Sequence, residues 1–410
     1  MKKLIVLFLS IVLVLTLSLP FAYADGVSVS AKEHSAYKIM VDFVNQNPYR
    51  KTASEGAKEA AEYIDKFFEN KGLEHEIQNF EYNAIVSDDF YYNTVEKRAD
   101  QNVIGRVKTT QDTSDTVVIG AHYDNSFSSG TGRGVYDNGS GVGIMLALAE
   151  KIQKNKEEGK VLPFNVEFVA FGAQEYAMRG SEYYLESLRG SQINSILLYV
   201  NLDSISAGDH LYVYADEFKS IQEDYFINIA IDNGVALSRP PANKGVFYAG
   251  LSEYGYAHIG LSSDNVNFLN RDVLSVSFSS HNWSTFNLGV PVEGAGKPNV
   301  RGTANDNVED IEELYGEGAW QKMVDVYDIV YTALYRENFA TDMRMAKMDN
   351  PDYSLLTSRF FIPGICAGFL AIVTAIVLSY AKKHSSKKDP DEDGRGENGG
   401  ERAKVFSDFD

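Results

Sequence analysis

The stretch "FVAFGAQEY", residues 168–176, runs from an apolar segment into a turn that carries an amide beside a carboxylate. Its first four residues are all apolar, which is typical of a strand buried on both faces of a sheet. The small residues that follow predict a turn, and Gln174 then stands directly before Glu175. Many hydrolases carry two carboxylates at such a place. The stretch therefore raises the question of whether the chain has a working active site, a modified one or a lost one.

The chain on both sides of this stretch alternates apolar runs with amphipathic segments. Strands are predicted at 75–82, 102–107, 115–124, 165–172, 196–204 and 272–279, and helices at 54–71, 141–153, 181–190 and 307–338. This order predicts an α/β domain whose mostly parallel mixed sheet is covered by helices on both faces. In such folds function lies at the loops beyond the carboxyl ends of the strands.

Polar side chains follow several of the predicted strands. His122 and Asp124 end one strand, Glu175 follows the next, Asp203 ends a third, and Asp137 opens a helix after a glycine-rich loop. Each residue alone is explained by a surface loop, a turn or a helix cap. Together they bring imidazole and carboxylate groups, without a thiolate, to one edge of the predicted sheet. This donor set suits a catalytic zinc site that is open to water.

The order and spacing of these motifs resemble metallopeptidase family 28, the co-catalytic zinc aminopeptidases, over roughly residues 35–335. The resemblance implies a zinc aminopeptidase-like fold with one or two zinc ions. It implies that His122 binds the first metal ion and that Asp124 orients it. It further implies that Asp137 bridges both ions, that Asp203 completes the first site, and that Glu175 binds the second ion.

Three positions depart from the family pattern. Gln174 stands where the family has a glutamate general base, Gly302 stands where it has the last histidine ligand, and Asn265 replaces a frequent histidine. An amide can position a water but cannot accept a proton near neutral pH. His281 and His258 are candidates to replace the missing ligand, although an ordinary surface or core histidine explains either of them.

Two functions from different classes follow. The first is a zinc-dependent exopeptidase of the aminopeptidase type that hydrolyses the N-terminal bond of a peptide or protein substrate. The second is a catalytically impaired relative that binds a peptide or a partner protein, which the altered Gln174 and Gly302 favour. A single-zinc glutaminyl cyclase fits less well, because its chemistry resembles the second metal site, where this chain is altered.

The two ends of the chain predict a membrane-anchored surface protein. Residues 1–24 have a basic start, an apolar run and an "AYA" cleavage site, as a signal peptide has, although an uncleaved anchor is the alternative. Residues 360–381 carry no charge and match the roughly 20 residues of a transmembrane helix. The lysines that follow place residues 382–410 in the cytoplasm as a disordered tail. An extracellular domain at 25–350 and a linker at 351–359 remain.

The charge and the cysteine content of the chain exclude some classes of partner and of metal site. The formal net charge is −19, which disfavours nucleic acid as a partner. The single cysteine, Cys366, lies inside the predicted span, so the extracellular domain has neither a disulfide nor a cysteine-ligated zinc site.

Overall fold

The computed structural model describes residues 30–85, 95–215, 220–240, 263–287 and 290–349. The predicted signal peptide, linker, membrane span and cytoplasmic tail lie outside these residues, as does His258. Among the described residues, no helix combines the length and the apolar character that a membrane span needs.

The strands of the described residues form one sheet in the order β1-β2-β4-β3-β5-β8-β6-β7, with β9 paired to β8. Their bounds are β1 Glu74–Ile85, β2 Val95–Val107, β3 Thr116–His122, β4 Asn165–Phe171, β5 Ile196–Leu202, β6 His210–Ala215, β7 Leu237–Ser238, β8 Ser275–Asn287 and β9 Val290–Val292.

The sheet is mixed, as predicted, but it is less parallel than the sequence indicated. Strands β4, β3, β5 and β8 form parallel pairs at the centre, and the short β7 is parallel to β6. The pairs β1–β2, β2–β4, β6–β8 and β8–β9 are antiparallel. For β1 and β2 the reason is the short connection from Ile85 to Val95, because a parallel crossover needs about a dozen residues or more.

The four predicted helical segments are all helical, the one at 307–338 as two helices, and the described residues contain further helices that were not predicted. The helices are α1 Ser35–Gln46, α2 Glu55–Asn70, α3 Ser140–Glu157, α4 Arg179–Ser187, α5 Gly190–Ser195, α6 Ile221–Asp232, α7 Asn265–Leu269, α8 Val308–Tyr315, α9 Glu317–Tyr335 and α10 Phe339–Asp349. A 3₁₀ turn at Ala31–Glu33 precedes them. The helix predicted at 54–71 begins after Ser54, whose hydroxyl accepts a hydrogen bond from the Ala57 amide at 3.2 Å and so caps the first turn.

The hydrophobic core covers both faces of the sheet centre. Every residue of β5 is buried, which requires neighbours above and below the strand. On one face the ring of Tyr199 stacks on Phe268 of α7 at a centroid distance of 3.7 Å, and Phe171 and Tyr184 pack beside them. Helices α1, α3 and α9 pack against one another. These layers fix the carboxyl ends of β4, β3 and β5 side by side at one edge.

Candidate metal centre

His122 is the last residue of β3, and its ring is held from the side of Asp124. Its Nδ1 donates to the backbone carbonyl of Asp124 at 3.1 Å and lies 3.5 Å from the Asp124 carboxylate. Because a carbonyl can only accept, Nδ1 carries the proton and Nε2 points away from the strand. Nε2 lies 3.3 Å from Asp137 Oδ1 and 3.6 Å from Asp203 Oδ1. The predicted orienting role of Asp124 matches this geometry.

Asp137 lies on the kinked segment Val135–Gly139 that precedes α3. The amides of Tyr136 and Asp137 donate to the two carboxylate oxygens of Asp306, at 2.6 and 3.3 Å. The next residue, Asn138, follows a cis peptide bond; its amide group donates to the Leu202 carbonyl at 2.8 Å and accepts from the Ser204 amide at 3.1 Å. Asn138 therefore ties the segment of Asp137 to the end of β5.

Asp203 follows β5 directly and is buried. The hydroxyl of Ser204 donates to Asp203 Oδ1 at 2.6 Å. Burial alone would raise the pKa of Asp203, but His122, Arg301 and this hydroxyl outweigh burial and lower it well below the usual range. The carboxylate is therefore kept ionised, as a metal ligand must be.

His122, Asp137 and Asp203 form a buried group whose ligand atoms all lie within 4.8 Å of one another. Within the described part of the chain, Nε2 of His122 makes no hydrogen bond although it is buried and faces two carboxylates. Burial lowers the pKa of His122, yet the nearby carboxylates of Asp124, Asp137 and Asp203 outweigh burial and raise it well above its ordinary value. The group of carboxylates around Nε2 therefore attracts a cation. One imidazole and two carboxylates form a donor set that zinc takes.

Glu175 and Gln174 lie beside this group but not in it. Their backbone amides donate to the Asp124 carboxylate at 3.1 Å for Gln174 and 3.2 Å for Glu175, which fixes the turn after β4. Gln174 is half-buried and Glu175 is exposed. Although the residue as a whole is exposed, the surroundings of its carboxyl group shield it partly from water, and this shielding and the charges of Asp137 and Asp124 raise the pKa of Glu175 to about 8. The structure thus brings three of the four predicted ligands together and leaves Glu175 at the rim.

His281, the predicted substitute ligand, is engaged elsewhere. Its Nε2 lies 2.7 Å from the Ser279 hydroxyl and its Nδ1 lies 3.3 Å from the hydroxyl of Tyr136. Burial and the nearby Arg301 lower the pKa of His281 to about 3, so the ring is neutral. The structure therefore gives both ring nitrogens protein contacts and does not place His281 in the group around His122.

Arg301 faces the carboxylates instead, and the sequence analysis did not identify it. Its Nε lies 3.6 Å from Asp137 Oδ2, and its Nη2 lies 3.7 Å from Asp203 Oδ1 and donates to the Ser204 hydroxyl at 2.5 Å. Arg301 directly precedes Gly302, the position of the missing histidine. This adjacency could have identified Arg301 from the sequence, because a positively charged residue stands next to the position of the missing metal ligand.

Thr52 and Asp306 also support the site without having been predicted. The Thr52 hydroxyl donates to Asp124 Oδ2 at 2.6 Å, so the carboxylate that orients His122 is itself held. Asp306, which holds the backbone before Asp137, lies in the same "GTANDN" segment as Gly302. The family pattern contains an aspartate at that place, which was the signal for Asp306. No local signal marks Thr52.

Known proteins resemble this chain in sequence to different extents. The chain is 25% identical over 295 residues to the alkaline phosphatase isozyme conversion protein of Escherichia coli (strain K12), covering 65% of this chain and 79% of that protein. It is 33% identical over 124 residues to a probable lipoprotein aminopeptidase, LpqL, of Mycobacterium tuberculosis. That match covers 30% of this chain and spans less than a quarter, 23%, of the relative.

Solved structures share the fold. A zinc aminopeptidase from Bacillus subtilis superposes with a TM-score of 0.55 at 18% identity, covering 74% of this chain and 95% of that one. An aminopeptidase from Aneurinibacillus sp. strain AM-1 gives a TM-score of 0.55 at 16% identity, with 75% and 94% covered. The model of peptidase family M28 matches residues 102–314, which is more than half of the chain and includes every residue of the metal centre. The chain belongs to peptidase family M28.

Proposed function

We propose that the chain is a zinc-dependent exopeptidase of the aminopeptidase type that acts on peptides or proteins. The buried group of His122, Asp137 and Asp203 carries this proposal, because Nε2 of His122 faces two ionised carboxylates that attract a cation. The relatives and structural neighbours named aminopeptidases support the reaction class. A bound zinc ion would supply a Lewis acid that polarises the scissile carbonyl and activates a water.

The chain's own residues orient the reactants. Asp124 keeps the proton of His122 on Nδ1 and so leaves Nε2 free for the metal ion. The turn that carries Gln174 is anchored to the same carboxylate by the backbone amide of Gln174, and we expect the side-chain amide of this residue to position a water. It cannot take the proton from that water, and general-base catalysis contributes about 10²–10⁴-fold in rate. We therefore expect slow turnover.

The test compares zinc content with peptide hydrolysis in the purified full-length chain. We expect zinc to remain bound after dialysis and to be lost in His122→Ala, while His210→Ala keeps it, because His210 is exposed on β6. Peptides with a free amino terminus should be shortened by one residue at a time, and N-acetylated peptides should resist. A wild-type chain that holds no zinc contradicts the proposal.

A second candidate function is a binding module that has kept the fold and lost turnover. Gln174 and Gly302 favour it, because the general base and the last ligand of the family are both absent. Zinc that stays bound, together with no cleavage of any free peptide and retention of a peptide on the immobilised chain, would establish this function instead.

We also propose that the chain is anchored in the cell membrane by residues 360–381, with residues 25–350 outside the cell. The uncharged run and the lysines after it support this orientation. Removal of residues 360–410 should release the protein into the medium. External protease should digest residues 25–350 of intact cells and spare an epitope tag at the C-terminus. A chain that stays in the cytosolic fraction contradicts this location.

A further inference from the structure

The two oxygens of Asp137 face different cations. Oδ1 lies 3.3 Å from Nε2 of His122, on the side of the metal group, and Oδ2 lies 3.6 Å from Nε of Arg301. In the family that this chain belongs to, the resemblance assigns the matching aspartate to a bridge between two metal ions. Here the second partner of the bridge is a guanidinium group.

Arg301 is held at this place by several contacts. Its Nη2 donates to the Ser204 hydroxyl at 2.5 Å, and the same hydroxyl donates to Asp203 at 2.6 Å. The guanidinium carbon lies 5.8 Å from the centre of the Tyr136 ring, within the range of a cation–π contact. An arginine guanidinium is not deprotonated in proteins, so the positive charge is permanent at this site.

The ligand that a second metal ion would need is missing beside this arginine. Gly302 has no side chain, and its φ of +65° is a left-handed conformation that a histidine rarely adopts. Glu175, the other predicted ligand of the second ion, is exposed and lies outside the buried group. Because Gly302 directly follows Arg301 in the chain, the loss of the histidine ligand and the gain of a fixed cation occur at the same place beside Asp137.

We propose that Arg301 replaces the second metal ion, so that the site holds one zinc ion and one guanidinium group joined by Asp137. This inference rests on the proposed zinc site. The guanidinium supplies part of the positive charge that the second ion would supply and holds Asp137 and Asp203 in place. Its side chain is partly exposed, at 31%, so the pocket around it is not closed to solvent. A planar guanidinium is well suited to donate to a substrate oxygen.

The first experiment measures zinc stoichiometry and zinc affinity in the full-length chain. We expect one zinc ion per wild-type chain. Arg301→Gln removes a positive charge that contacts the same two carboxylates as the zinc ion. Because like charges so close together repel even with strong screening, the variant should bind zinc about tenfold more tightly or better. Arg301→Lys keeps the positive charge and with it the repulsion of the zinc ion, so its zinc affinity should stay within about threefold of wild type. Two ions per wild-type chain, or unchanged affinity in Arg301→Gln, would overturn the proposal.

Arg336→Gln is the matched control, because Arg336 also pairs with a carboxylate, Asp232 at 2.5 Å, but on the surface and away from the site. We expect its zinc affinity to equal that of wild type. Thermal unfolding of each variant shows whether it is folded before zinc is added. A wild-type chain without any zinc would overturn the proposed function as well as this inference, whereas two ions per chain would overturn this inference alone.

A second measurement asks whether Arg301 stays in place when zinc is bound. Phenylglyoxal modifies accessible arginines, and the modified residues can be counted by mass spectrometry. If Arg301 and zinc occupy the site together, loading with zinc should leave the modification rate of Arg301 within about twofold, because its contacts with Asp137 and Ser204 persist. Arg336 reports the reagent's activity in the same sample. A many-fold faster reaction of Arg301 after zinc loading shows that zinc displaces it and overturns the proposal.

Discussion

The two sides of the metal centre are built differently. On the His122 side each ligand is buried and fixed by a neighbour: His122 by Asp124, Asp203 by Ser204, and the backbone at Asp137 by Asp306. The altered side consists of the positions predicted for the second metal ion and their neighbour Arg301. Here Glu175 is exposed, Gly302 offers no ligand and Arg301 contacts the carboxylates. Ligands that are fixed by their neighbours can hold a metal ion in a defined position. On the altered side, we propose that the Arg301 side chain takes the place of a metal ion.

The difference separates metal binding from proton transfer. The buried side has what zinc binding needs, and the altered side lacks the group that would move a proton. Asp124 connects the two, because one of its carboxylate oxygens accepts from the Gln174 amide, the other from the Glu175 amide, and its carbonyl accepts from His122. Changes on the buried side should therefore affect zinc binding, and changes on the altered side should affect the rate of hydrolysis. Changes at Asp124 should affect both.

The largest expected effect is a gain on the altered side. Gln174→Glu places a carboxylate where the family has its general base and should raise the rate of hydrolysis of aminoacyl nitroanilides by about 10²–10⁴-fold. Zinc affinity should change little, because Gln174 is not among the ligand atoms of the metal group. The measurement is kcat/KM at saturating zinc.

Gln111→Glu, an exposed residue before β3, is the control for the added charge and should leave the rate unchanged. If Gln174→Glu binds zinc as wild type does and still shows no gain, proton transfer is not what limits the reaction. The contrast between the two sides would then lie in Arg301 rather than in Gln174.

The second prediction concerns the close approach of α3 to the end of β5, which positions the ligands of the buried side. Gly141 opens α3 beside the end of β5, and a Cβ there would lie 2.3 Å from the Leu202 carbonyl oxygen and 2.5 Å from Asn138 Oδ1. Because neither contact is possible, Gly141→Ala must separate α3 from β5, and with them Asp137 from Asp203. We expect the free energy of unfolding to fall by about 3 kcal/mol. Chemical denaturation and zinc content measure the two losses.

Gly318→Ala is the matched control, since nothing lies within 4 Å of a Cβ at that helical position in α9. Its free energy of unfolding should stay equal or rise slightly, because alanine favours a helix over glycine by up to about 1 kcal/mol. A Gly141→Ala chain as stable as wild type would show that the close approach of α3 and β5 is not required.

The sequence was sufficient for the parts of the site that follow strands. His122 is the last residue of β3, Glu175 lies in the turn after β4, and Asp203 directly follows β5. Adjacent parallel strands place their carboxyl ends at one edge. That Glu175 lies outside the buried group, whereas the other three predicted ligands lie in it, could not be predicted in this way. It depends on how far a side chain reaches from its turn, which a strand-end argument does not contain.

Contacts between distant loops were beyond the sequence. Thr52 reaches Asp124 from 72 residues away, and Asp306 holds Tyr136 from 170 residues away. No periodicity or local motif connects such pairs, because only the packing of the whole domain brings the loops together. The sheet is less parallel than predicted partly because β6, which pairs antiparallel with β8, was not among the predicted strands.

The third prediction tests the residue that links the two sides. In Asp124→Asn one carboxylate oxygen becomes an NH₂ group, which meets an amide donor of Gln174 or Glu175 and cannot accept from it. Changes in groups that orient a metal ligand typically cost about 10–100-fold in affinity, and we expect zinc binding to weaken by that amount. Competition with a chelator of known affinity measures it.

Asp65→Asn is the control, because Asp65 also contacts a histidine, His75 at 2.7 Å, but outside the metal centre. Its zinc affinity should equal that of wild type. If Asp124→Asn also binds zinc normally, the contact of His122 Nδ1 with the Asp124 carbonyl is sufficient to orient the ring, and the carboxylate acts on the Gln174 turn alone.

The smallest effect should come from Thr52, which supports Asp124 and touches neither the ligands nor the turn. Thr52→Val keeps the shape and removes the hydroxyl that donates to Asp124 Oδ2 at 2.6 Å. A hydrogen bond to a charged group contributes about 1.5 kcal/mol or more, but water can replace the hydroxyl at this partly exposed position, so we expect about a fivefold loss of zinc affinity. Thr116→Val, whose hydroxyl donates to the Ser114 carbonyl at 3.0 Å, should show none. A loss in Thr52→Val as large as that in Asp124→Asn would mean that the support of the buried side extends to the loop before α2, whereas no loss would confine it to the strand ends.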